Sequence, residues 1–437
     1  MSWHLPLLLA LVLLCSAAGF APRGEAKFAA RIGSTVQETL SQPALETALP
    51  SHMFVNITQR TQACLDFDVV LRALRDCTVT VAGARSVDET ASLLTGDLAS
   101  VNAQYAMVEQ LLPNLGYLPL RNRMDVWPVL TAIETNGSPP EQEELIHFAE
   151  IIEEIAALQI FLQTNQDKLG LFQDIRARMR LPVELLQAFE GAFDEEGALS
   201  VQKYPVIRKF RNEANALKAK VVATIKNLLS SQDMKEKLAD TGFIEIEGRF
   251  CLMLKNTYKK GVGIVHGSSN TGRSLYVEPM EVVEPTNEMK SVLASLKAEE
   301  NKILFEMCQT ISLHRREIRA AIDAVTELDM VRAKAKLGEK LRGCIPQVRD
   351  EGVICCAGAQ HPVLLLRGAT SAVGNNIGVN DDSCRALVIS GPNAGGKTVV
   401  LKTAGLFALM VKLSIPLPAR PGARVDLFQV YLTLPQS

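Results

Sequence analysis

The stretch Ala386 to Leu401, ALVISGPNAGGKTVVL, decides how the rest of the chain is read. Ala386, Leu387, Val388, Ile389 and Ser390 read as a buried strand. They lead into Gly391, Pro392, Asn393, Ala394, Gly395, Gly396, Lys397 and Thr398, and an apolar helix pattern follows at once. The spacing G-x-x-x-x-G-K-T in a strand–loop–helix setting is that of a phosphate-binding loop. Glycines let the backbone curl so that its N–H groups face phosphate oxygens. Lys397 would neutralise the terminal phosphates, and the Thr398 hydroxyl would reach Mg²⁺. The helix that follows turns its positive end toward the same anion. A Gly-rich structural turn is the competing reading, and Lys-Thr in register with both correct flanks argues against it. These eight residues are therefore the expected site for ATP and Mg²⁺.

The surrounding composition is that of a globular protein with room for two or three domains: 437 residues, 47% hydrophobic and 22% charged. A net charge of −2 provides no global basic field, so contact with nucleic acid has to come from local patches. The nine cysteines are scattered, odd in number and without a C-x-x-C pair. That pattern disfavours a zinc site or a disulfide framework and favours thiols in a reducing compartment.

At the N-terminus, Leu5 to Cys15 (LPLLLALVLLC) is an apolar run too short to span a bilayer comfortably, and small residues follow it. It reads as a signal peptide over residues 1–19, with a short membrane anchor as the competing reading. Ala18-Gly19-Phe20-Ala21-Pro22 resembles the junction used for import into plastids of secondary origin. Residues 20–55 then read as a transit peptide or linker, although Glu25, Glu38 and Glu46 make it more acidic than such peptides usually are. Plastid import is the expected destination, with the secretory pathway as the alternative, and no membrane association is expected once the signal is removed.

Helical periodicity begins near Cys64, where LDFDVVLRALRDC (65–77) sets Phe67, Val70, Leu71 and Leu74 on one stripe. Further helices are expected over 141–179, after Ser138-Pro139-Pro140, and over 206–231. Between about 242 and 280 the period shifts towards two and glycines punctuate it, which predicts a small β insert. From Pro285 no proline occurs until Pro346 and no glycine until Gly338, so one very long helix, with or without a break, is expected. Its charged pieces 314–319 and 332–342 read as a solvated face or as phosphate contacts. From about Ile345 the chain turns α/β.

The order of helical lever, small β insert, very long helix and late GPNAGGKT resembles the MutS family. The branch it is most similar to is the recombination-suppressor one, which lacks the mismatch-reading N-terminal domain. The resemblance is carried by LDFDVVLRALRD, by DEEGALSVQKYPVIRKFRNE (194–213) and by GRFCLMLKNTYKKGVGIVHGSSNTGRSLYVEPMEVVEPTNE (248–288). Gln360-His361-Pro362 and Asn393 add to it. It implies a mainly α core and lever domain over 56–344 with its β insert, then over 345–437 the N-terminal part of an α/β, ABC-type P-loop ATPase domain. It also implies ATP-switched association with DNA, branched or mismatched, and a homodimer in the complete family. Stalled ribosomes, whose RNA presents the same phosphate backbone, are the second family-level partner. An interaction protein that keeps only the lever is the reading from another class.

Within the insert, Lys259, Lys260 and Arg273 are candidates for nucleic-acid backbone contact or plain loop charge. His266 and Glu278 read as structural, and His361 as a positioning residue. No catalytic residue is assigned. The family's serine-rich signature loop and its apolar strand ending in Asp-Glu find no match here, and VDLFQVYLTLPQS (425–437) departs from the pattern. A truncated sequence, poor at hydrolysis by itself, is the resulting expectation.

Overall fold

A computed structural model describes residues 10–11, 62–89, 97–121, 125–135, 140–258, 262–269, 272–369, 372–380, 387, 389, 396–428 and 432–433. The signal-peptide and transit-peptide expectations therefore fall outside the described residues, apart from Ala10–Leu11, which pairs in parallel with Leu432–Thr433. The protein is mainly helical with two small antiparallel sheets. It divides into two compact units: Met1–Asp125, Glu154–Arg180 and Arg319–Ser437 form one, and Val126–Glu153 with Leu181–Ile318 the other. Among the described residues no helix is long and apolar enough to cross a membrane.

In the first unit, helices Phe67–Arg75, Val81–Asp88 and Leu98–Leu111 precede the long Arg315–Leu341 helix. The stripe expected for residues 65–77 is the buried one: Phe67, Val70 and Leu74 are inaccessible to solvent. Thr80 accepts from the Gly83 N–H and so caps the second helix, and Asp97 caps the third through the N–H groups of Ala99 and Ser100. Asp329, on the long helix and fully buried, accepts from the Thr80 N–H and Thr80 Oγ1, each at 2.8 Å, and from the Val79 N–H at 3.0 Å. Burial pushes its carboxyl upward, and these bonds, with the nearby Arg332 cation, oppose that shift.

In the second unit, helices Pro205–Ser230 and Met280–Leu313 flank a four-stranded sheet in sequence. Its strands are β1 (Leu238–Ile246), β2 (Arg249–Lys255), β3 (Gly263–Ser268) and β4 (Ser274–Pro279), in the order β1-β2-β4-β3. The predicted β insert is therefore present, and Phe243 faces Leu252 across the first hairpin as the alternation requires. Glu247 and Gly248 both have positive φ (49° and 71°), the geometry of a two-residue turn matched to strand twist. A Cβ at Gly263 would overlap the Glu278 carbonyl oxygen, so only glycine allows β3 this close to β4. Glu278 itself is fully buried and held by Arg249 at 2.9 Å and His266 at 2.8 Å. Arg249 also donates to Asn287 Oδ1 at 2.9 Å. Glu278 is therefore not the surface carboxylate, nor His266 the capped turn, that a structural reading of the sequence suggests: the two form a buried pair within the sheet.

One long helix is shorter than expected, and the other carries the break that the sequence allows. The one expected over 141–179 is Gln142–Thr164, followed by a 3₁₀ turn Gly170–Phe172 and a short helix Gln173–Arg178. Thr164 Oγ1 and Asn165 Nδ2 donate to the Ile160 and Phe161 carbonyls, each at 2.9 Å, beside the Asn165 N–H, which donates to the same Phe161 carbonyl at 3.1 Å. The very long helix is two, Met280–Leu313 and Arg315–Leu341, interrupted at His314.

Lys334, on the second of these, is buried, and its ammonium donates to Gln104 Oε1. Burial lowers its pKa from 10.5 to about 8. The unfolded chain thus binds the extra proton between those values, and stability should rise with pH across that window, by up to about 3 kcal/mol. Urea unfolding at pH 7.5 and about 10 should show that rise in the native chain and a smaller one in Lys334→Met. Replacing Glu278 by Leu strands Arg249 and should cost about 3 kcal/mol in the same measurement.

Candidate nucleotide-binding site

Of the eight loop residues, Gly391, Pro392, Asn393, Ala394 and Gly395 lie outside the described residues, as does most of the strand expected over 386–390. Gly396, Lys397 and Thr398 are described. Gly396 is the N-cap of a 16-residue helix, Lys397–Lys412, and takes φ 80°, ψ 9°. This left-handed conformation explains why glycine stands there: no atom of the described residues lies within 4 Å of where its Cβ would be, so among them the constraint is torsional and not spatial. Lys397 and Thr398 open the helix, at the end where its N–H groups and dipole favour an anion. Lys397 is half-buried and has no partner among the described residues. The residue types and the helix start fit a phosphate with its Mg²⁺, for which the Thr398 hydroxyl would be the ligand.

The helix is fixed from several sides. Leu406, Phe407, Met410 and Val411 are inaccessible to solvent. A Cβ at Gly405 would come within 2.9 Å of Leu65 Cδ2, so this glycine lets Leu65 nest against the helix. Lys402 Nζ pairs with Asp66 Oδ2 at 2.6 Å. That pair lowers the Asp66 carboxyl below its ordinary value, chiefly through the hydrogen bond from Lys402. Beyond the helix, Tyr105 donates to the Ile415 carbonyl at 3.0 Å and Ser414 to the Val101 carbonyl at 3.3 Å.

The neighbouring sheet has β5 (Ile354–Ala359) at its centre, between β6 (Asn375–Val379) and the two-residue β7 (Arg424–Val425), all antiparallel. The Cys355–Cys356 strand is therefore as expected. Of the α/β P-loop domain expected here, the helix Lys397–Lys412 and a small antiparallel sheet are seen; of the buried strand expected over 386–390, only Leu387 and Ile389 are described, neither is in a strand, and Leu387 is exposed. Asp426, fully buried, accepts from the N–H groups of Arg349, Glu351 and Val353, each at 3.1 Å, and from Arg424 at 2.9 Å. Burial opposes its ionisation, yet Arg424 and the backbone N–H groups hold the carboxyl below its ordinary value.

His361 is buried and its Nδ1 has no hydrogen-bond partner among the described residues. Burial and then the Lys402 cation lower its pKa, Arg367 adds to this, and Asp66 opposes it. A neutral imidazole beside the loop-following helix is consistent with a positioning role. Among the described residues no cluster of His, Cys, Asp or Glu could hold a metal ion, and the described cysteines are free. Burial raises the thiols of Cys251 and Cys308 to about 11 and that of Cys356 to about 12, which leaves them inert. In the β insert, Lys259 and Lys260 lie outside the described residues. Arg273 is exposed, and its carbonyl accepts from the Asn256 N–H at 3.1 Å. Sequence reasoning missed Asp66 and Lys402, whose pairing joins residues 336 apart and has no local signature.

A glycine-capped helix opened by Lys-Thr is the helix start expected of a phosphate-binding loop, and the relatives that match the chain are proteins of the MutS family. Within that family the chain is related to the MutS2 proteins. It is 31% identical over 294 residues to "Endonuclease MutS2" of Pelotomaculum thermopropionicum, a match covering 67% of this chain and 37% of that protein. The protein of the same name from a Geobacillus species is 29% identical over 319 residues, 72% of this chain and 40% of its own length. That of Geobacillus thermodenitrificans is 26% identical over 377 residues, 85% and 47% respectively. The chain thus spans less than half the length of these relatives. No protein-family model matches it.

Gly396→Ala tests whether the cap matters by torsion alone. With no steric clash to relieve, the substitution should cost about 1–2 kcal/mol, read by denaturant unfolding. A destabilisation well above that would mean that the side chain meets something else.

Proposed function

We propose that this chain binds ATP with Mg²⁺ through Gly391, Asn393, Gly395, Gly396, Lys397 and Thr398, and uses the bound nucleotide to regulate its hold on DNA. The observation that carries the reading is the Gly396 cap that hands the loop to Lys397 and Thr398 at the head of a buried helix. The kinship with MutS2 proteins supports a role in DNA maintenance and in the suppression of recombination. Mg²⁺ would neutralise charge on the phosphates, Lys397 would contact their oxygens, and the backbone N–H groups of the loop would do the rest. The lever helices and β insert would present the nucleic-acid surface, and a homodimer would close around it. The apolar leader and the sequence after it would direct the protein to a plastid.

Lys397→Ala removes one charge-assisted hydrogen bond worth about 1.5–3 kcal/mol. Isothermal titration with ATP and Mg²⁺ should therefore show binding weakened about 10- to 150-fold. Equal affinity in the two proteins would leave an interaction protein without nucleotide function. Binding to purified ribosomal particles in preference to branched duplex DNA would move the partner from DNA to the ribosome.

A further inference from the structure

The Pro205–Ser230 helix carries a charge imbalance that neither the fold nor the nucleotide site uses. It holds Arg208, Lys209, Arg211, Lys218, Lys220 and Lys226 against a single acid, Glu213, in a chain of net charge −2. Its core face is Ile207, Ala214, Val221 and Ile225. Arg211 lies toward the neighbouring helix and faces Glu300 at 3.7 Å. The other five cations are exposed, and none has a side-chain partner among the described residues. At 100° per residue, Arg208 and Lys226 fall on one line, with Asn212 and Asn215 close to it. Lys209 and Lys220 lie about 100–120° round from that line on the solvent side, whereas Lys218 lies about 80° round the other way, beside the Ile207 and Ile225 core stripe, and is not part of this surface. The line from Arg208 to Lys226 is about 27 Å long at 1.5 Å per residue. Glu213 stands at the edge of this surface, one turn from Lys209.

This surface is selective about its partner. Val206, at the helix's first turn, is its only exposed large apolar residue among those described, so the face offers nothing to insert into a bilayer or to form the apolar centre of a protein interface. Lysine is depleted at protein interfaces, whereas unpaired cations with amide side chains between them suit a polyanion whose charges repeat along a line. We infer that the outward face of the Pro205–Ser230 helix is a sequence-independent docking surface for the phosphate backbone of duplex DNA. The inference rests on the DNA-binding reading above and names the residues that would serve it, none of which belongs to the Lys259, Lys260 and Arg273 set.

The test is fluorescence anisotropy with a labelled mixed-sequence DNA duplex across a salt series from 50 to about 200 mM, conditions under which phosphate contacts register as salt dependence. The protein carries Arg208, Lys209, Lys220 and Lys226 all replaced by Gln. Exposed substitutions of this kind change stability by within about 0.5 kcal/mol each, and circular dichroism melts check that the fold survives. The slope of log affinity against log salt should become shallower by about 0.9 for each phosphate that the variant no longer neutralises. A control with Lys297→Gln and Lys302→Gln, whose cations already face Glu300 and Glu299, should keep the native slope. An unchanged slope in the four-fold variant overturns the surface while leaving DNA binding intact, and an equal drop in the control overturns its location. If the unsubstituted protein shows no salt-dependent binding to the duplex, the DNA-binding reading fails and this inference fails with it. Weakened binding to anionic lipid vesicles with the DNA slope unchanged would assign the face to a membrane and also overturns it.

Discussion

The first unit depends on the burial of one helix, Lys397–Lys412, in a core assembled from both ends of the chain. Leu65, Phe67, Val70, Leu74, Val101 and Tyr105 pack in the same cluster as Leu406, Phe407, Met410, Leu413 and Val425. Burying a large apolar side chain contributes about 1.5–3 kcal/mol, so neither set is stable without the other. Contacts between residues so far apart in sequence carry a heavy loop-closure cost before they return any stability. The Lys397–Lys412 helix is therefore packed in one core with residues from the other end of the unit's sequence. Its position is set in part by the residues near the start of the folded chain, through Leu65 against Gly405 and Asp66 against Lys402.

Two fully buried carboxylates do comparable work at the margins of that core. Asp329 gathers the backbone around Val79 and Thr80, and Asp426 gathers the segment from Arg349 to Val353. Each turns several N–H groups that would otherwise be buried without partners into charge-assisted hydrogen bonds. Their responses differ because their counter-charges differ. Arg424 chelates Asp426 directly and keeps it ionised, whereas Arg332 lies 3.8 Å from Asp329 and burial prevails there. In the second unit Glu278 plays the same part, with Arg249 and His266 as its partners. That arrangement accounts for the dense run of polar residues in 248–288 without recourse to chemistry.

Local pattern and tertiary consequence part company at identifiable residues. The stripe of Phe67, Val70 and Leu74, the alternation around Phe243 and Leu252, and the strand at Cys355 and Cys356 were legible because each is a local periodicity. The end of the helix at Thr164 was not, because no proline or glycine marks it before Gly170. A break in the very long helix was allowed by the sequence, but its place at His314 was not legible, since no proline or glycine marks it. A structural part for His266 and Glu278 was legible, but the burial of Glu278, its pairing with His266 and the place of Arg249 between Glu278 and Asn287 emerged from the packing of the sheet.

The sequence by itself determined the loop GPNAGGKT, the order of lever, insert and long helix, and thereby the kinship with MutS2. Those features are written in residue types at fixed short spacings, where backbone torsion and side-chain chemistry act locally. Tertiary structure decided that Asp66 meets Lys402, that Asp329 fastens residues 79 and 80, and that Lys334 is buried with a weakened hold on its proton. It also decided which cations of the Pro205–Ser230 helix face solvent. Pairing across hundreds of residues depends on how helices pack, and burial sets the local dielectric that shifts each charge. Neither is encoded in any single stretch of the chain.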